Sequence, residues 1–322
     1  MKAIQIHETG GPEVLKLVEL PIPQPGPGQV LIRVESAGVN FIEIYFRKGV
    51  YKASLPLVLG SEAAGTVEEL GPGVTGFEAG DAVASVGVLG SYAEYALVPA
   101  AQLVKVPASL TPEQAAAAML QGMTAHYLTH STFPLKPGET ALVHAGAGGV
   151  GLLIIQMAKR VGARVITTVS TEAKAELARE VGADEVILYS EQDFEVETKK
   201  LTGGKGVDVV YDSVGKTTFE SSLNCLRPRG MLALFGASSG PVPPFDLIQL
   251  SGKGSLFITR PTLWHYIATR SELEWRAGDV LGWAVKGELK LRTEHMYPLA
   301  DAAQAQADLA GRKTTGKILL EP

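Results

Sequence analysis

The run from Thr140 to Lys159, TALVHAGAGGVGLLIIQMAK, limits what this chain can fold into more than any other stretch. The apolar segment Ala141-Leu142-Val143 leads into Gly146-Ala147-Gly148-Gly149-Val150-Gly151, after which Leu152, Ile154, Ile155, Met157 and Ala158 recur at helical spacing. That order is strand, tight turn, helix. A second strand, Arg164 to Val169, follows, with Gly162 as the helix stop. In this setting Gly146 permits a sharp bend, Gly148 lets the backbone approach a pyrophosphate, and Gly151 lets the helix pack closely on its strand. The exposed N–H groups and positive dipole end of the helix favour phosphate charge. A dinucleotide site is expected here.

The end of the second strand distinguishes the dinucleotides, because an NAD site places a carboxylate on the ribose hydroxyls about 20 residues after the first glycines. Ser170 stands there, small and neutral, and Lys174 lies one turn further on. A 2′-phosphate is repelled by a carboxylate and attracted by a cation, so NADPH is the better fit than NADH. Glu172 suits the first turn of a helix through the dipole, and it could also reach a ribose.

Residues 1 to 120 read mostly as short strands between Gly and Pro turns: Ala3 to Ile6, Leu15 to Leu17, Val30 to Val34, Ala64 to Leu70, Asp81 to Val86 and Ala93 to Val98. That pattern suggests a barrel-like domain. From Thr111-Pro112-Glu113-Gln114, which caps a helix of Ala115 to Met119, the chain changes character. Further strands at Glu185 to Tyr189, Val207 to Tyr211, Met231 to Phe235 and Ser255 to Ile258 alternate with helical segments, as a doubly wound sheet requires. Helices near Ser271 to Trp283 and Ala300 to Leu309, then a strand from Lys317 to Leu320, close the chain.

The net charge of −5 with no long basic run argues against a dedicated nucleic-acid binder. No apolar run reaches membrane-spanning length and MKAIQIHETG has no signal-peptide core, so a cytoplasmic location is the default expectation. The single cysteine, Cys225, excludes an intrachain disulfide and leaves little for a soft-metal site. His126 and His130 share a helical face but have no acidic or thiolate neighbour in the sequence, so a metal there is disfavoured.

Gly138-Glu139, Leu142, the glycine run 146–151, Gln156 and Lys159 resemble the signature of the zinc-free, zeta-crystallin-like quinone oxidoreductases of the medium-chain dehydrogenase/reductase superfamily. Gly11-Pro12-Glu13-Val14-Leu15, Gly38-Val39-Asn40-Phe41-Ile42, Gly60-Ser61-Glu62 and Phe257-Ile258-Thr259-Arg260-Pro261 extend the resemblance over essentially the whole chain. It implies an α/β fold: a GroES-like, partly open β-barrel catalytic domain at 1–121, completed by 262–322, and a Rossmann NADPH-binding domain with a doubly wound parallel sheet at 122–261. Alcohol dehydrogenases of the superfamily carry Gly-His-Glu with a zinc-ligating His, whereas this chain has Ser61. No zinc is expected.

The resemblance further implies a cleft that holds the nicotinamide and is lined by Asn40, Tyr45 and Tyr51, which would hydrogen-bond and stack on a flat substrate. Thr124 would lie near the nicotinamide and Ala147 to Val150 under the pyrophosphate. Ser170, Lys174, Tyr189 and Arg312 would surround the 2′-phosphate, and Phe235, Gly236, Ser238, Thr259 and Arg260 would line the remaining groove. Tyr45 and Tyr51 equally suit ordinary packing with Phe41 and Phe46, and Asn40 suits a turn for backbone reasons. Without a Lewis acid for an alkoxide, a quinone is the favoured hydride acceptor. Reduction of the C=C bond of an enal or enone, or a non-catalytic NADPH-binding role, are the alternatives. A homodimer joined through the sheet edge near Ser255 to Ile258 is implied as well.

Overall fold

The computed structural model describes residues 1–87 and 90–322, and the chain divides into two compact units, 1–123 with 267–322 and 124–266. The first is built on antiparallel strands: β1 (Lys2–Ile6), β2 (Lys16–Glu19), β3 (Gln29–Val39), β4 (Leu57–Val58), β5 (Glu62–Leu70), β6 (Ala82–Val86), β7 (Tyr95–Pro99) and β8 (Leu103–Lys105). β3 is its spine, pairing with β5 along one edge and, through Gln29 to Arg33, with β7 along the other.

The second unit is a six-stranded parallel sheet of β9 (Thr140–His144), β10 (Arg164–Val169), β11 (Glu185–Leu188), β12 (Val207–Asp212), β13 (Leu226–Leu234) and β14 (Phe257–Thr259). Its order, β11-β10-β9-β12-β13-β14, is 3-2-1-4-5-6 along the chain, the doubly wound arrangement. Ala141, Leu142, Val143, Val165, Ile166, Val209 and Val210 are fully buried, as expected of strands covered on both faces. Ser255 does not join the last strand, contrary to the sequence expectation. It takes φ 55 after Gly254 at φ 111, a left-handed turn that delays β14 until Phe257.

The chain then returns to the first unit with the helix Arg270–Val285, β15 (His295–Pro298), the helix Ala302–Ala310 and β16 (Ile318–Glu321). β16 pairs with Ala37 to Val39 of β3, so β3 has β7 beside its first half and β16 beside its second. Such an exchange of partners along one strand curls the sheet toward a barrel. Its core packs Ile32, Val67, Val83, Val98, Leu103 and Leu320. Among the described residues no helix is long and apolar enough to cross a membrane.

Candidate active site

In the sheet unit, β9 ends at His144 and the helix Gly149–Arg160 begins after N-cap Gly148. The bend itself falls on Ala145, at φ 55, and not on Gly146 as the sequence suggested. Gly146 is required for a different reason: a Cβ there would overlap Thr167 Oγ1 of β10, and its N–H donates to the Thr168 carbonyl at 3.1 Å. A Cβ on Gly151 would run into the Ala145 carbonyl and lie 3.0 Å from Gly146 Cα, so the helix packs against the turn with no room for a side chain. Around Gly148 the only close atom is the Ala145 oxygen, 3.1 Å from such a Cβ. The first N–H groups of the helix, including those of Gly149, Val150 and Gly151, precede its first internal bonds and are available to an anion.

The carboxyl ends of the strands meet at this turn. Val169 pairs with Leu188, which sets Ser170 beside Tyr189, and Ser190 Oγ donates to the Ser170 carbonyl at 3.0 Å. Thr171 caps the helix Glu172–Glu180 by accepting from the Lys174 N–H, placing Lys174 in its first turn. Glu172 is ion-paired with Arg179 of the same helix, which accounts for it without a ribose. On the far side, Tyr211 pairs with Ala233 and Ala233 with Thr259, so Phe235, Gly236 and Ser238 beyond β13 and Arg260 beyond β14 come to the same edge. Arg260 donates to the Leu234 carbonyl at 2.9 Å. Thr124, near the start of this unit, is buried.

A buried network that the sequence did not single out ties this edge together. Asp212, fully buried, accepts from the N–H groups of Val214 and Gly215 and from Thr218 and Ser222 hydroxyls at 2.7–3.1 Å. The His144 ring meets Ser222 Oγ and Thr168 Oγ1, both at 2.9 Å. Burial holds its imidazole below the ordinary range.

In the barrel unit, Asn40 caps the helix Phe41–Arg47, its own N–H donating to Glu43 Oε2 at 2.7 Å. That helix carries Tyr45, whose ring meets Tyr51 edge-on at 5.3 Å, while Phe46 meets Tyr51 at 5.7 Å and Phe41 lies 6.4 Å from Tyr45. The structure therefore brings both tyrosines together in one aromatic cluster, with Tyr51 exposed at one side. The Asn40 carboxamide is largely engaged: Nδ2 donates to Glu62 Oε1 at 2.7 Å and, weakly, to the Gly38 carbonyl at 3.4 Å. Only the second N–H is loosely held. Oδ1 accepts from Lys317 Nζ at 2.8 Å and Gln121 Nε2 at 3.3 Å. Glu43 has no solvent exposure, and burial pushes its carboxyl up to about 7.

Glu43, Gln121 and Lys317 were not singled out as site residues from sequence. The Asn-x-x-Glu spacing of a helix cap was the one available signal, for Glu43. Arg312 belongs to the barrel unit, follows the helix Ala302–Ala310 and adopts φ 57.

His126 and His130 stack at 4.4 Å, and His130 Nδ1 contacts Thr129 Oγ1 at 2.8 Å and the His126 carbonyl at 3.1 Å. Among the described residues no three His, Cys, Asp or Glu side chains are grouped as metal ligands. Cys225 is buried, its thiol pushed up to about 12, and so offers no thiolate.

A glycine turn at the first crossover of a 3-2-1-4-5-6 sheet, together with a β-barrel unit bearing buried polar groups, is the build of a dinucleotide-dependent oxidoreductase. Residues 26–108 match the alcohol dehydrogenase GroES-like domain and residues 149–271 the zinc-binding dehydrogenase family. A quinone oxidoreductase of Pseudomonas aeruginosa is 47% identical over 100% of this chain and 99% of its own length. A 2-haloacrylate reductase of a Burkholderia species is 46% identical over 99% of this chain and 98% of its own. The crystal structure of Escherichia coli quinone oxidoreductase complexed with NADPH superposes with a TM-score of 0.98 at 44% identity, covering 100% of both chains. The chain belongs to the quinone oxidoreductase family of the medium-chain dehydrogenase/reductase superfamily.

Proposed function

We propose that this chain is an NADPH-dependent quinone oxidoreductase that works without zinc. The observation that carries the reading is full-length relatedness to quinone oxidoreductases, 47% identical in one case, on a barrel unit offering hydrogen-bond donors and aromatic rings.

The sheet unit fits NADPH on its own geometry. Gly146 and Gly151 sit where a Cβ would collide, keeping the turn tight, and the helix N–H groups behind Ala147 and Gly148 hold the pyrophosphate. Ser170, Lys174 and Tyr189 receive the 2′-phosphate, with no carboxylate at the Ser170 position to repel it, and Arg312 is a further phosphate ligand in the same reading. Thr124 lies near the nicotinamide, and Phe235, Gly236, Ser238, Thr259 and Arg260 line the remaining groove. NADPH, when bound, supplies a hydride. Asn40, through its loosely held N–H, and the Tyr45 and Tyr51 hydroxyls donate to the acceptor's carbonyl oxygen, while the rings stack on its plane. The delocalised charge of a reduced quinone requires only such donors.

Lys174→Ala is expected to weaken NADPH binding about 10- to 100-fold, the worth of one charge-assisted phosphate contact, and to leave NADH nearly unchanged. Fluorescence titration with both cofactors checks it. Equal losses would place the phosphate elsewhere.

A second reading, reduction of an activated C=C bond, is favoured by the relatedness to the Burkholderia reductase. Steady-state rates with small quinones, alkenals and 2-haloacrylate separate the two. Higher kcat/KM for quinones supports the first, and preference for the alkenes overturns it. The same proposal includes a cytoplasmic homodimer. β14 pairs only with β13 among the described residues, and Phe257 on it is exposed, leaving an edge that a second copy can extend.

A further inference from the structure

Asn40, Glu62, Gln121 and Lys317 meet in the barrel unit, all of them buried, with Glu62 and Lys317 only 0% and 2% exposed. Lys and Glu are almost never buried so deeply unless paired. A buried pair adds little net stability over apolar residues of the same size, because both ions lose their water. The pair here is better explained by what it orients.

The Lys317 ammonium bonds to Glu62 Oε1 and donates to Asn40 Oδ1 at 2.8 Å, while Gln121 Nε2 donates to that same oxygen at 3.3 Å. Asn40 Nδ2 donates to Glu62 Oε1 at 2.7 Å, and Glu62 Oε2 is held by the Leu120 N–H at 2.7 Å. Exchanging the oxygen and nitrogen of the carboxamide would set an oxygen against the carboxylate and an NH2 against the ammonium. One orientation survives. Gly38 completes the arrangement from β3: a Cβ there would overlap Glu62 Oε1 and lie 2.6 Å from Lys317 Nζ. Its glycine identity makes room for the pair, since its backbone is ordinary strand.

We propose that Lys317 is a positioning residue for carbonyl recognition: its ammonium, locked to Glu62 in the space Gly38 leaves, fixes the Asn40 carboxamide so that its second N–H, held only weakly by the Gly38 carbonyl at 3.4 Å, is the one given over to a substrate oxygen. The inference rests on the reading of Asn40 as a donor to the quinone. It differs from a stability role because the effect of Lys317 on turnover runs through Asn40, whereas its contacts with Glu62 and Glu43 bear on stability.

A double-mutant cycle with Lys317→Met and Asn40→Ala tests it, with kcat and KM for a small quinone, NADPH affinity and melting temperature measured for each variant. Lys317→Met is expected to lower kcat about 30-fold in the unaltered background and less than about 3-fold in the Asn40→Ala background, with NADPH affinity retained in both. An equal loss in both backgrounds, or no loss in a folded Lys317→Met, overturns the proposal. If Lys317→Met does not fold, Lys317→Met with Glu62→Gln, a neutral pair of similar size, takes its place in the cycle under the same criteria. Turnover of the unaltered chain, run alongside, separates the two ideas. Its absence sinks the quinone reading, whereas the ratios between variants judge Lys317.

Discussion

Glu43→Gln is expected to remove a fall in stability of about 3 kcal/mol that the unaltered protein undergoes as pH rises from 4.5 to about 7. Glu43 has no exposed surface, and burial is the largest cause of its raised carboxyl, outweighing the help of Ser61, Lys317 and the Asn40 N–H. The fold therefore binds the neutral acid better than the carboxylate. Because the folded value lies above the unfolded one, the stabilising contribution is fully present below pH 4.5 and is lost through about 7. Glutamine keeps an acceptor for the Asn40 N–H and carries no charge, so the variant should be the more stable protein at pH 8 and nearly equal at low pH. Urea unfolding of both proteins across this range checks it. Parallel stability curves would contradict the assignment.

Gly151→Ala is expected to cost about 3 kcal/mol of stability, since its methyl would press on the Ala145 carbonyl and Gly146 Cα, backbone atoms that have no side-chain freedom with which to yield. NADPH affinity should fall about 100-fold with it, because any relief displaces the turn that meets the pyrophosphate. Gly148→Ala is the informative partner. Its methyl meets only the Ala145 oxygen at 3.1 Å, so the melting temperature should barely move while cofactor affinity drops. Thermal melts paired with titrations separate the two glycines, and a stable, tight-binding Gly151→Ala would refute the packing argument.

The sheet unit was readable from sequence because its signals are local. Ala141 to Val143 and Val209 to Val210 are continuous apolar runs between turns, and Gly151 faces backbone only a few residues away. The sequence points to Gly146 for the bend because an alanine at φ 55 leaves no mark in it, whereas Gly146 owes its identity to Thr167, on the next strand. The barrel unit was less legible. Phe41 to Arg47 is rich in aromatic and β-branched residues, which favour strands, yet the Asn40 cap and Glu43 make it a helix. β8 and β15 are three and four residues long, too short to show a period. Lys317 read as the start of a terminal strand, and its partners are 255 and 277 residues away, a separation over which a single sequence carries no contact information.

The most direct test of the central claim is calorimetric titration of the unaltered protein with NADPH and with NADH, followed by addition of a small quinone to the NADPH-loaded form. One NADPH per chain, bound at least about 10-fold more tightly than NADH, and rapid loss of the reduced-nicotinamide absorbance on adding quinone are the expected results. Failure to bind NADPH, or a loaded protein that leaves quinone unreduced, would contradict the account.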